Sequence, residues 1–476
     1  MNRFNIVNKY NLALLILLFS TAGCRKLVEV EGPPTGVSSG NVYNSDATAA
    51  AVLTGMYINI STAGQTTGIP ALNYLTALSA DELTLYSAST NTTQIAYYQN
   101  NLNPGNVSNN HFWNWLYPVI YKANDAVEGL TGNTALSPAA SRQLLGEALF
   151  MRAFCYFYLV NLYGNVPLIT GTDYTQNAIT PRTPKEKVYA QIIVDLTEAQ
   201  QLLSDLYLSP AMQETEDRVR PTRWAATALL ARTYLFTGDW SNAEKEAGKV
   251  IDHTPLFQPG SLDDIFLKNS TEAIWQIQPV LPGWNTNEAS FYVLTEAGPN
   301  YNTPSYLSEA LLLSFEDDDD RLEHWAGKAE VDMGGSTITY HYPYKYKVYE
   351  YGSPVTEYEM VLRLGEQFLI RAEARAQLED ISGAQEDLNL IRNRAGLGST
   401  TATTKEDLLT AILHERQVEL FVEWGSRWLD LKRTGQAAIV MPAITAAKGG
   451  SWTSSQQLYP VPLTEIQRNP YLVPNP

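Results

Sequence analysis

The chain has 476 residues, of which 45% are hydrophobic and 17% charged, and its formal net charge at pH 7 is −17. These proportions are those of a globular protein and exclude an intrinsically disordered one. The acidic balance excludes nucleic acid as a partner, because phosphate binding needs clustered lysine and arginine. The length exceeds what one small core needs, so we expect two lobes or one large domain built from repeats.

The N-terminal segment 1–23 has the pattern of a bacterial signal peptide. Two basic residues precede an unbroken apolar run at 12–19, and small residues lead into Cys24. Spanning a bilayer takes about 20 apolar residues, so this run is too short. We therefore expect a lipoprotein signal with acylated Cys24 as the mature N-terminus, followed by a flexible tether at 24–40. The alternative is an ordinary signal peptide, since Thr21 stands where lipoprotein signals usually carry Leu, Val or Ile.

The first elements of the body are an irregular stretch and a helix. Residues 60–110 are polar and aromatic, and residues 144–162 have helical character. The helix contains Cys155, which is the only cysteine after Cys24. We expect no internal disulfide and a packed, unreactive thiol.

Three further helices are predicted between residues 183 and 251. Thr183, Pro184 and Glu186 have the spacing of a capping box with proline in the first turn. Apolar residues then recur at intervals of three and four, at Val188, Ile192, Leu196, Ala199 and Leu203, and again at Trp224, Ala228, Ala231 and Leu235. The dipeptide Gly238-Asp239 ends the second helix, and residues 243–251 form the third.

Residues 255–360 change in character and are rich in Pro, Gly, Asn and Tyr. Two short strands are predicted inside them, at Ala273–Gln278 and Ser336–Tyr342. Long irregular insertions in a rigid scaffold are typically functional or flexible, and a helical scaffold that displays loops is a binding architecture. Aromatic residues make up 11% of the chain. Those outside helices can stack on sugars or peptides, or can simply fill the loops.

Two helical hairpins resemble each other in the spacing of small residues. In each, an alanine precedes an aspartate by eight positions and a second alanine by twelve: Ala231, Asp239 and Ala243 in the first, Ala372, Asp380 and Ala384 in the second. Such spacing across a helical turn is typical of tetratricopeptide units, although chance similarity is the alternative. The two units are too far apart in the chain to belong to one continuous array. We therefore predict a mostly α fold of repeat-like hairpins with long insertions.

Several segments are specific enough to indicate a family. Residues 415–435 read ERQVELFVEWGSRWLDLKRTG, and they follow FLIRAEARAQLEDISGAQEDLNLIRNRAGL at 368–397. Further segments lie at 112–125, 147–168, 317–325, 344–346 and 458–472. In type and spacing these segments resemble the SusD/RagB family of nutrient-uptake outer-membrane lipoproteins. The terminal VPNP departs from the QNPGY near which the family often ends.

The resemblance implies a fold, a cellular location and partners. It implies about four tetratricopeptide-like units, few short strands and an irregular ligand-binding lobe, with an N-terminal helical region at 41–254 and a C-terminal region at 255–476 that includes the insert 255–360. It implies a lipid-anchored binding protein on the outer membrane, facing the exterior, paired with a SusC-like TonB-dependent barrel transporter. The ligand is an oligosaccharide or a peptide, and neither catalysis nor a cofactor is implied.

The family's glycan sites take an acidic residue from the N-terminal part and aromatic residues from the irregular lobe. Matching that pattern to this chain gives eight candidate ligand-binding residues: Asp81, Glu82, Tyr97, Tyr98, Trp284, Tyr292, Tyr301 and Trp325. For each of them, packing within a loop is the alternative. No metal ligand is assigned, because Asp317–Asp320 lacks the glycine and glutamate of an EF-hand loop and Val418 occupies the second histidine position of HExxH.

Three questions stay open at the level of sequence. The charged residues of 415–435 form either a structural ion-pair network or a contact with the transporter, and Glu423 and Arg427 have the spacing of a helical ion pair. The protein could also be a structural lid or scaffold of the transporter without its own ligand site. A surface glycoside hydrolase would need two carboxylates facing each other across a cleft, and Asp81 and Glu82 are adjacent in the chain.

Overall fold

The computed structural model describes residues 42–105 and 112–475, so Cys24, the predicted signal peptide and the predicted tether at 24–40 lie outside the described residues. About half of the chain is helical, which confirms the predicted mostly α fold. The described residues contain 18 helices: Asp46–Thr62 (α1), Ala71–Ser79 (α2), Thr92–Tyr98 (α3), Phe112–Leu130 (α4), Pro138–Tyr163 (α5), Tyr174–Asn177 (α6), Lys185–Leu202 (α7), Arg223–Thr237 (α8), Trp240–Ile251 (α9), Asn287–Tyr292 (α10), Glu309–Leu312 (α11), Asp320–Trp325 (α12), Leu364–Gln377 (α13), Ile381–Arg394 (α14), Lys405–Glu419 (α15), Ser426–Arg433 (α16), Ala437–Ala447 (α17) and Leu463–Arg468 (α18).

The strands are short and pair in twos. They are Leu83–Leu85 (β1), Val166–Pro167 (β2), Arg182–Thr183 (β3), Ala273–Ile277 (β4), Ser305–Leu307 (β5), Ala326–Asp332 (β6), Thr337–Pro343 (β7) and Glu359–Arg363 (β8). Within the described residues they form four antiparallel pairs: β1–β5, β2–β3, β4–β8 and β6–β7. The two strands predicted from the sequence are confirmed as β4 and β7.

Eight helices form a continuous stack, the equivalent of four helix pairs. Each packs on the next in the order α4, α5, α7, α8, α9, α13, α14 and α15. The two hairpins with matching spacing, α8–α9 and α13–α14, are therefore neighbours in space. Small and branched side chains fill their junction, namely Ala231, Leu235, Ala243, Ala247, Ile370 and Ala374. Alanine at these positions lets the helix backbones approach closely, as the spacing predicted.

The hairpin turns are closed by helix caps at the two matching aspartates. Asp239 accepts a hydrogen bond from the amide of Asn242, and Asp380 accepts one from the amide of Gly383. Each cap satisfies an amide that the first helical turn leaves without an intrahelical partner. Gly238 precedes the first cap with φ of +75°, a conformation that favours glycine.

The capping box predicted at Thr183 is wrong. Thr183 belongs to β3 and pairs with Val166, while Pro184 is the N-cap of α7 and makes no side-chain cap hydrogen bond. The side chain of Asn165 accepts a hydrogen bond from the amide of Lys185 at 2.9 Å. A residue distant in sequence thus takes the role that the local pattern assigned to Thr183. The apolar stripe that follows is buried as predicted, from Val188 to Leu203.

The hydrophobic core is centred on α5, which is buried on nearly every side. Phe150 and Phe154 pack edge-to-face on Trp275 of β4, with ring centroids 5.0 and 5.4 Å apart. Cys155 lies in the same helix with no exposed surface, and burial raises the pKa of its thiol. This confirms a packed, unreactive cysteine.

Two strand pairs fix the irregular segment between α9 and α13. β4 and β8 pair at its two ends, so the chain leaves the helical stack and returns to it at one place. β5, in the middle of the segment, pairs with β1 from the N-terminal part of the chain. In the described residues, no helix combines the length and apolar character needed to cross a bilayer.

Candidate functional site

A cluster of five tyrosines lies where the N-terminal part of the chain meets the irregular segment. It comprises Tyr86, Tyr98, Tyr301, Tyr306 and Tyr340, and we call it the tyrosine surface. Tyr86 follows β1, Tyr98 ends α3, Tyr301 precedes β5, Tyr306 lies within β5 and Tyr340 lies within β7.

The β1–β5 pair explains why some of these rings face outward. In β1, Leu83 and Leu85 are buried and Thr84 between them is half-buried; in β5, Tyr306 is the half-buried residue and lies opposite Thr84. Because side chains alternate along a strand, Tyr86 falls on the same face as Thr84. The strand pair therefore buries leucine on one face and presents tyrosine on the other.

The rings pack edge-to-face and leave open surface. Tyr86 and Tyr301 have ring centroids 5.8 Å apart at 86°, and Tyr306 and Tyr340 have centroids 4.9 Å apart at 74°. Tyr301 is 66% exposed, and Tyr86, Tyr306 and Tyr340 are half-buried. Burial, together with the neighbouring Tyr340 and Tyr98, raises the pKa of Tyr306. Its phenol is therefore neutral at physiological pH and can donate or accept a hydrogen bond.

Tyr98 joins this surface from α3 and is held in place on two sides. Its hydroxyl bonds to Thr84 and to the backbone of Leu85, while burial raises its pKa. The ammonium of Lys448 lies 5.0 Å from the ring centroid. Tyr98 is thus half-buried and oriented, whereas the adjacent Tyr97 has no exposed surface and packs 5.2 Å from the ring of Tyr459.

Asp81 and Glu82 lie beneath the tyrosine surface and are both buried. Asp81 forms a bidentate ion pair with Arg427, at 2.8 and 2.6 Å. Glu82 accepts a hydrogen bond from the amide of Val422 at 2.8 Å, and its carbonyl accepts one from the amide of Ser308. Burial raises the pKa of Glu82 from 4.5 to about 8. In this arrangement the pair anchors β1 to the chain around α16, and neither carboxyl group lies on the open surface.

Two other candidates are also enclosed by protein. Tyr292 is buried and packs edge-to-face against Tyr74 and Phe291. Trp325 has no exposed surface, and its Nε1 donates to the carbonyl of Leu262 at 2.9 Å. Both rings lack a face open to solvent, so the structure gives them packing roles, as it does Tyr97.

Trp284 lies on a different part of the irregular segment and forms its own pair. Its ring centroid is 5.4 Å from that of Tyr351, which is 71% exposed. Gly283 has φ of +82°, and a Cβ there would lie 2.6 Å from Cε2 of Tyr351. Glycine therefore lets the two loops meet, and the amide of Gly352 donates to the carbonyl of Gly283 at 2.8 Å.

Of the eight candidates, the structure brings Tyr98 and Tyr301 together and leaves Trp284 apart. Tyr86, Tyr306, Tyr340 and Tyr351 were not among the candidates. The alternation in Leu83–Tyr86 is a signal that could have identified Tyr86, because it places Tyr86 on the face opposite the two leucines. The other three depend on contacts between distant segments, which one sequence does not specify.

The charged segment 415–435 is the centre of a buried ion-pair network. Arg321 donates to Glu415 at 2.6 Å and to Glu419 at 3.1 Å, and Arg363 donates to Glu419 at 2.5 Å. Burial alone would raise the pKa of Glu419, but Arg394, Arg363 and Arg321 outweigh it and hold that pKa well below its ordinary value. The network joins α12, β8, α14 and α15.

The predicted helical pair between Glu423 and Arg427 is wrong. α15 ends at Glu419 and α16 begins at Ser426, and Val422 and Trp424 between them have positive φ. Glu423 instead bonds to Arg363 and Lys345, and Arg427 bonds to Asp81. The break in the helix separates two residues whose spacing suggested contact.

The acidic run 317–320 forms a turn, and its buried member is neutralised locally. The carboxylate of Asp319 accepts hydrogen bonds from the amide, Nε and Nη2 of Arg321. Among the residues that the structure describes, no group of three or more His, Cys, Asp or Glu side chains is placed to hold a metal ion.

Two family profiles match the chain. One, described as starch-binding associating with outer membrane, matches residues 37–235, and the other, described as the SusD family, matches residues 290–476. SusD-like protein P25 of Formosa agariphila is 24% identical over a 520-residue alignment that covers 96% of each chain. Together the matched ranges omit only residues 1–36 and 236–289.

Solved structures share the fold. A laminarin-binding SusD-like protein has a TM-score of 0.71 at 24% identity, with 90% of this chain and 98% of that chain covered. Surface glycan-binding protein A from Bacteroides fluxus has a TM-score of 0.74 at 22% identity, with the same coverage of 90% and 98%. With the helical stack, the irregular segment and both profiles in agreement, the chain belongs to the SusD/RagB family.

Proposed function

We propose that this protein binds a glycan on the tyrosine surface and delivers it to a SusC-like TonB-dependent transporter in the outer membrane. The observation that carries the proposal is the outward face of β1 and β5, where Tyr86, Tyr301 and Tyr306 present rings over a buried leucine layer. The names of two structural relatives, one laminarin-binding and one glycan-binding, favour a glycan over a peptide.

The chemistry of the surface suits a neutral sugar. Ring faces stack on the C–H surfaces of a pyranose, and neutral phenol groups exchange hydrogen bonds with its hydroxyls. The edge-to-face pairs hold adjacent rings at large angles, 86° for Tyr86 and Tyr301. Rings at such angles do not form one flat platform. Binding needs no catalytic group, and none is assigned.

The proposed localisation rests on the N-terminal sequence. We propose that residues 1–23 are removed, that Cys24 carries the acyl chains and that residues 24–40 tether the body, which comprises 41–254 and 255–476, to the outside of the outer membrane. Mass spectrometry of the mature protein tests this directly. An acylated cysteine at the new N-terminus supports it, and an unmodified N-terminus would contradict it.

Two other functions make different predictions. A scaffold of the transporter would co-purify with the barrel but bind neither glycan nor peptide. A glycoside hydrolase would release product, which requires two carboxyl groups facing a sugar across a cleft. Asp81 is paired with Arg427 and Glu82 with the Val422 amide, both in buried positions, so this pair does not favour hydrolysis.

The test is a binding screen combined with product analysis. The acylated or tether-truncated protein is titrated calorimetrically with soluble glycans, including laminarin, and with a peptide mixture, and the same mixtures are analysed for released saccharides. Saturable glycan binding without product supports the proposal. Product release would favour the hydrolase, and co-purification with the transporter in the absence of any binding would favour the scaffold.

A further inference from the structure

A cavity of about 680 Å³, whose lining shares no residue with the tyrosine surface, is lined by basic side chains. It lies where the end of α5, the start of α7 and the end of α16 meet the last described residues of the chain. Four of its lining residues are basic, namely Arg182, Lys185, Lys432 and Arg433, and none is acidic. In a protein with a net charge of −17, such a cavity reverses the prevailing sign of the surface.

One of the four basic residues, Arg433, is neutralised by carboxylates that do not line the cavity. Arg433 forms a bidentate pair with Glu373 at 2.5 and 2.7 Å and also donates to Asp430 at 2.7 Å. Arg182 instead donates to backbone carbonyls, among them those of Asn165 and Pro474. Carbonyl oxygens satisfy its hydrogen bonds but leave its charge uncompensated.

The two lysines also lack an acidic partner. Within the described residues, no carboxylate lies within ion-pair distance of Lys185 or Lys432. Lys185 is exposed at the start of α7, and its charge reaches the rim of the cavity. The cavity therefore holds three basic side chains without an acidic partner among the described residues.

Lys432 is the most confined of the three. Its Nζ donates to the carbonyl of Asn161 at 2.5 Å and lies 5.3 Å from the ring centroid of Trp428. Burial lowers the pKa of this ammonium to about 7, with no neighbouring charge to offset the effect. An ammonium has three donors, and one of them is used here. Without a counter-charge this ammonium loses its proton readily near neutral pH, and a bound anion would stabilise its charged form.

The remaining lining adds neutral groups that suit a sugar. Tyr189 and Phe236 contribute aromatic rings, and Asn165 and Gln457 contribute amide side chains. We propose that this cavity is a binding site for an acidic saccharide, whose carboxylate or sulfate group is held by Lys432 with Lys185 and Arg182. The site is separate from the tyrosine surface, and the proposal does not depend on glycan binding there.

The experiment titrates the full chain with four probes at low ionic strength: glucuronate, glucose 6-sulfate, glucose and inorganic sulfate. The expected result is saturable binding of glucuronate or glucose 6-sulfate, at least tenfold weaker binding of glucose, and loss of affinity on addition of salt. Glucose binding as tightly as its acidic counterparts would overturn the proposal. Inorganic sulfate binding as tightly as glucose 6-sulfate would identify a site for a free anion and overturn the saccharide assignment.

Matched variants locate the site. Lys432→Gln is expected to weaken binding about tenfold and Lys185→Gln several-fold, while Lys187→Gln, on the same exposed turn of α7 but outside the cavity lining, leaves it unchanged. If Lys432→Gln does not fold, the location of the site is tested by comparing the affinity of Lys185→Gln for the acidic probe with that of Lys187→Gln. Equal affinity in those two variants would refute the location. The Tyr86→Ala/Tyr301→Ala variant should keep full binding of the acidic probe, so the two sites are tested separately.

Discussion

Glu82 is a buried carboxyl group whose nearest hydrogen-bond donor is a single backbone amide. Burial raises its folded-state pKa from 4.5 to about 8, so the folded protein keeps this proton through neutral pH, whereas the unfolded chain releases it above about 4.5. Between these two pH values the folded state binds more protons. The free energy of unfolding contributed by Glu82 is therefore full below about pH 4.5 and declines as pH rises towards 8.

Replacing Glu82 with Gln removes this titration and keeps an oxygen that can accept from the amide of Val422. We expect Glu82→Gln to be more stable than the native protein at pH 8, with the difference growing by up to about 1.4 kcal/mol for each pH unit through the window. Chemical denaturation at pH 5, 6, 7 and 8 measures the difference. Parallel stability profiles for the two proteins would show that Glu82 ionises normally.

Trp325 and Trp284 were equal candidates in the sequence, but their environments predict different costs of truncation. Trp325→Ala removes a fully buried indole and its hydrogen bond to Leu262, and we expect a loss of about 3–5 kcal/mol. Trp284→Ala removes a half-buried ring from the loop surface and should cost under about 1 kcal/mol. Urea denaturation of both variants distinguishes them, and similar losses would contradict the assigned burial.

For single residues, the sequence predicted which residue types the irregular segment contains better than it predicted which side chains are buried. It indicated that aromatic residues would line the irregular segment, and Tyr301 and Trp284 do reach the surface there. It could not separate Tyr97 from Tyr98, because which face of α3 is buried depends on Tyr459, near the opposite end of the chain. The sequence also did not show that Val422 and Trp424 have positive φ, which breaks the helix and separates Glu423 from Arg427.

Among the helices, the two capped hairpins provide a test of the repeat. Asp380→Ala should lower the free energy of unfolding by about 1 kcal/mol, because the amide of Gly383 loses its acceptor. Asp380→Asn should retain most of the stability, since asparagine caps equally well. Thermal denaturation of the three proteins measures the effect. If asparagine were as destabilising as alanine, the charge of Asp380 would matter more than its cap.

Helices were predictable where the signal is local. The stripe from Val188 to Leu203 and the break at Gly238 depend only on neighbouring residues, and both are confirmed. The start of α7 was not predicted correctly, because Thr183 pairs with Val166 in β3 and the side chain of Asn165 accepts the hydrogen bond from the first helical amide. Strands were predictable as strands, but their partners were not, since β1 near the start of the chain pairs with β5 in the middle of the irregular segment.

For the whole molecule, Glu419 connects the irregular segment to the helical stack. It receives hydrogen bonds from Arg321, Arg363 and Arg394, which lie on three different elements. We expect Glu419→Gln to destabilise the protein by about 3–5 kcal/mol, because three buried guanidinium groups lose their shared carboxylate. Denaturant titration of this variant, with Glu465→Gln on exposed α18 as control, measures the loss. Equal stability of the two variants would show that the network contributes little.

The same group predicts a response to acid. The folded-state pKa of Glu419 is lower than its ordinary value of 4.5, so the unfolded chain takes up this proton first as pH falls. The stability from Glu419 is therefore present above about pH 4.5 and is lost progressively below it. Native protein should lose more stability than Glu419→Gln between pH 5 and pH 3. A constant difference over that range would contradict the depressed pKa.

The overall architecture was predictable because family-specific segments recur along the chain from residues 112–125 to 458–472. The tyrosine surface was not, because it exists only where β1, α3, β5 and β7 converge. The rings of Tyr86 and Tyr301 lie 5.8 Å apart in space, although the two residues belong to distant parts of the sequence.

The central claim is that the tyrosine surface binds glycan, and one calorimetric comparison tests it most directly. The glycan that binds the native protein is titrated into Tyr86→Ala/Tyr301→Ala and into the control variant Tyr174→Ala. Tyr174 is 79% exposed on α6 and does not belong to the tyrosine surface. We predict at least tenfold weaker binding for the first variant, about 1.4 kcal/mol, with native affinity for the second. Native affinity in a folded Tyr86→Ala/Tyr301→Ala protein would contradict the claim.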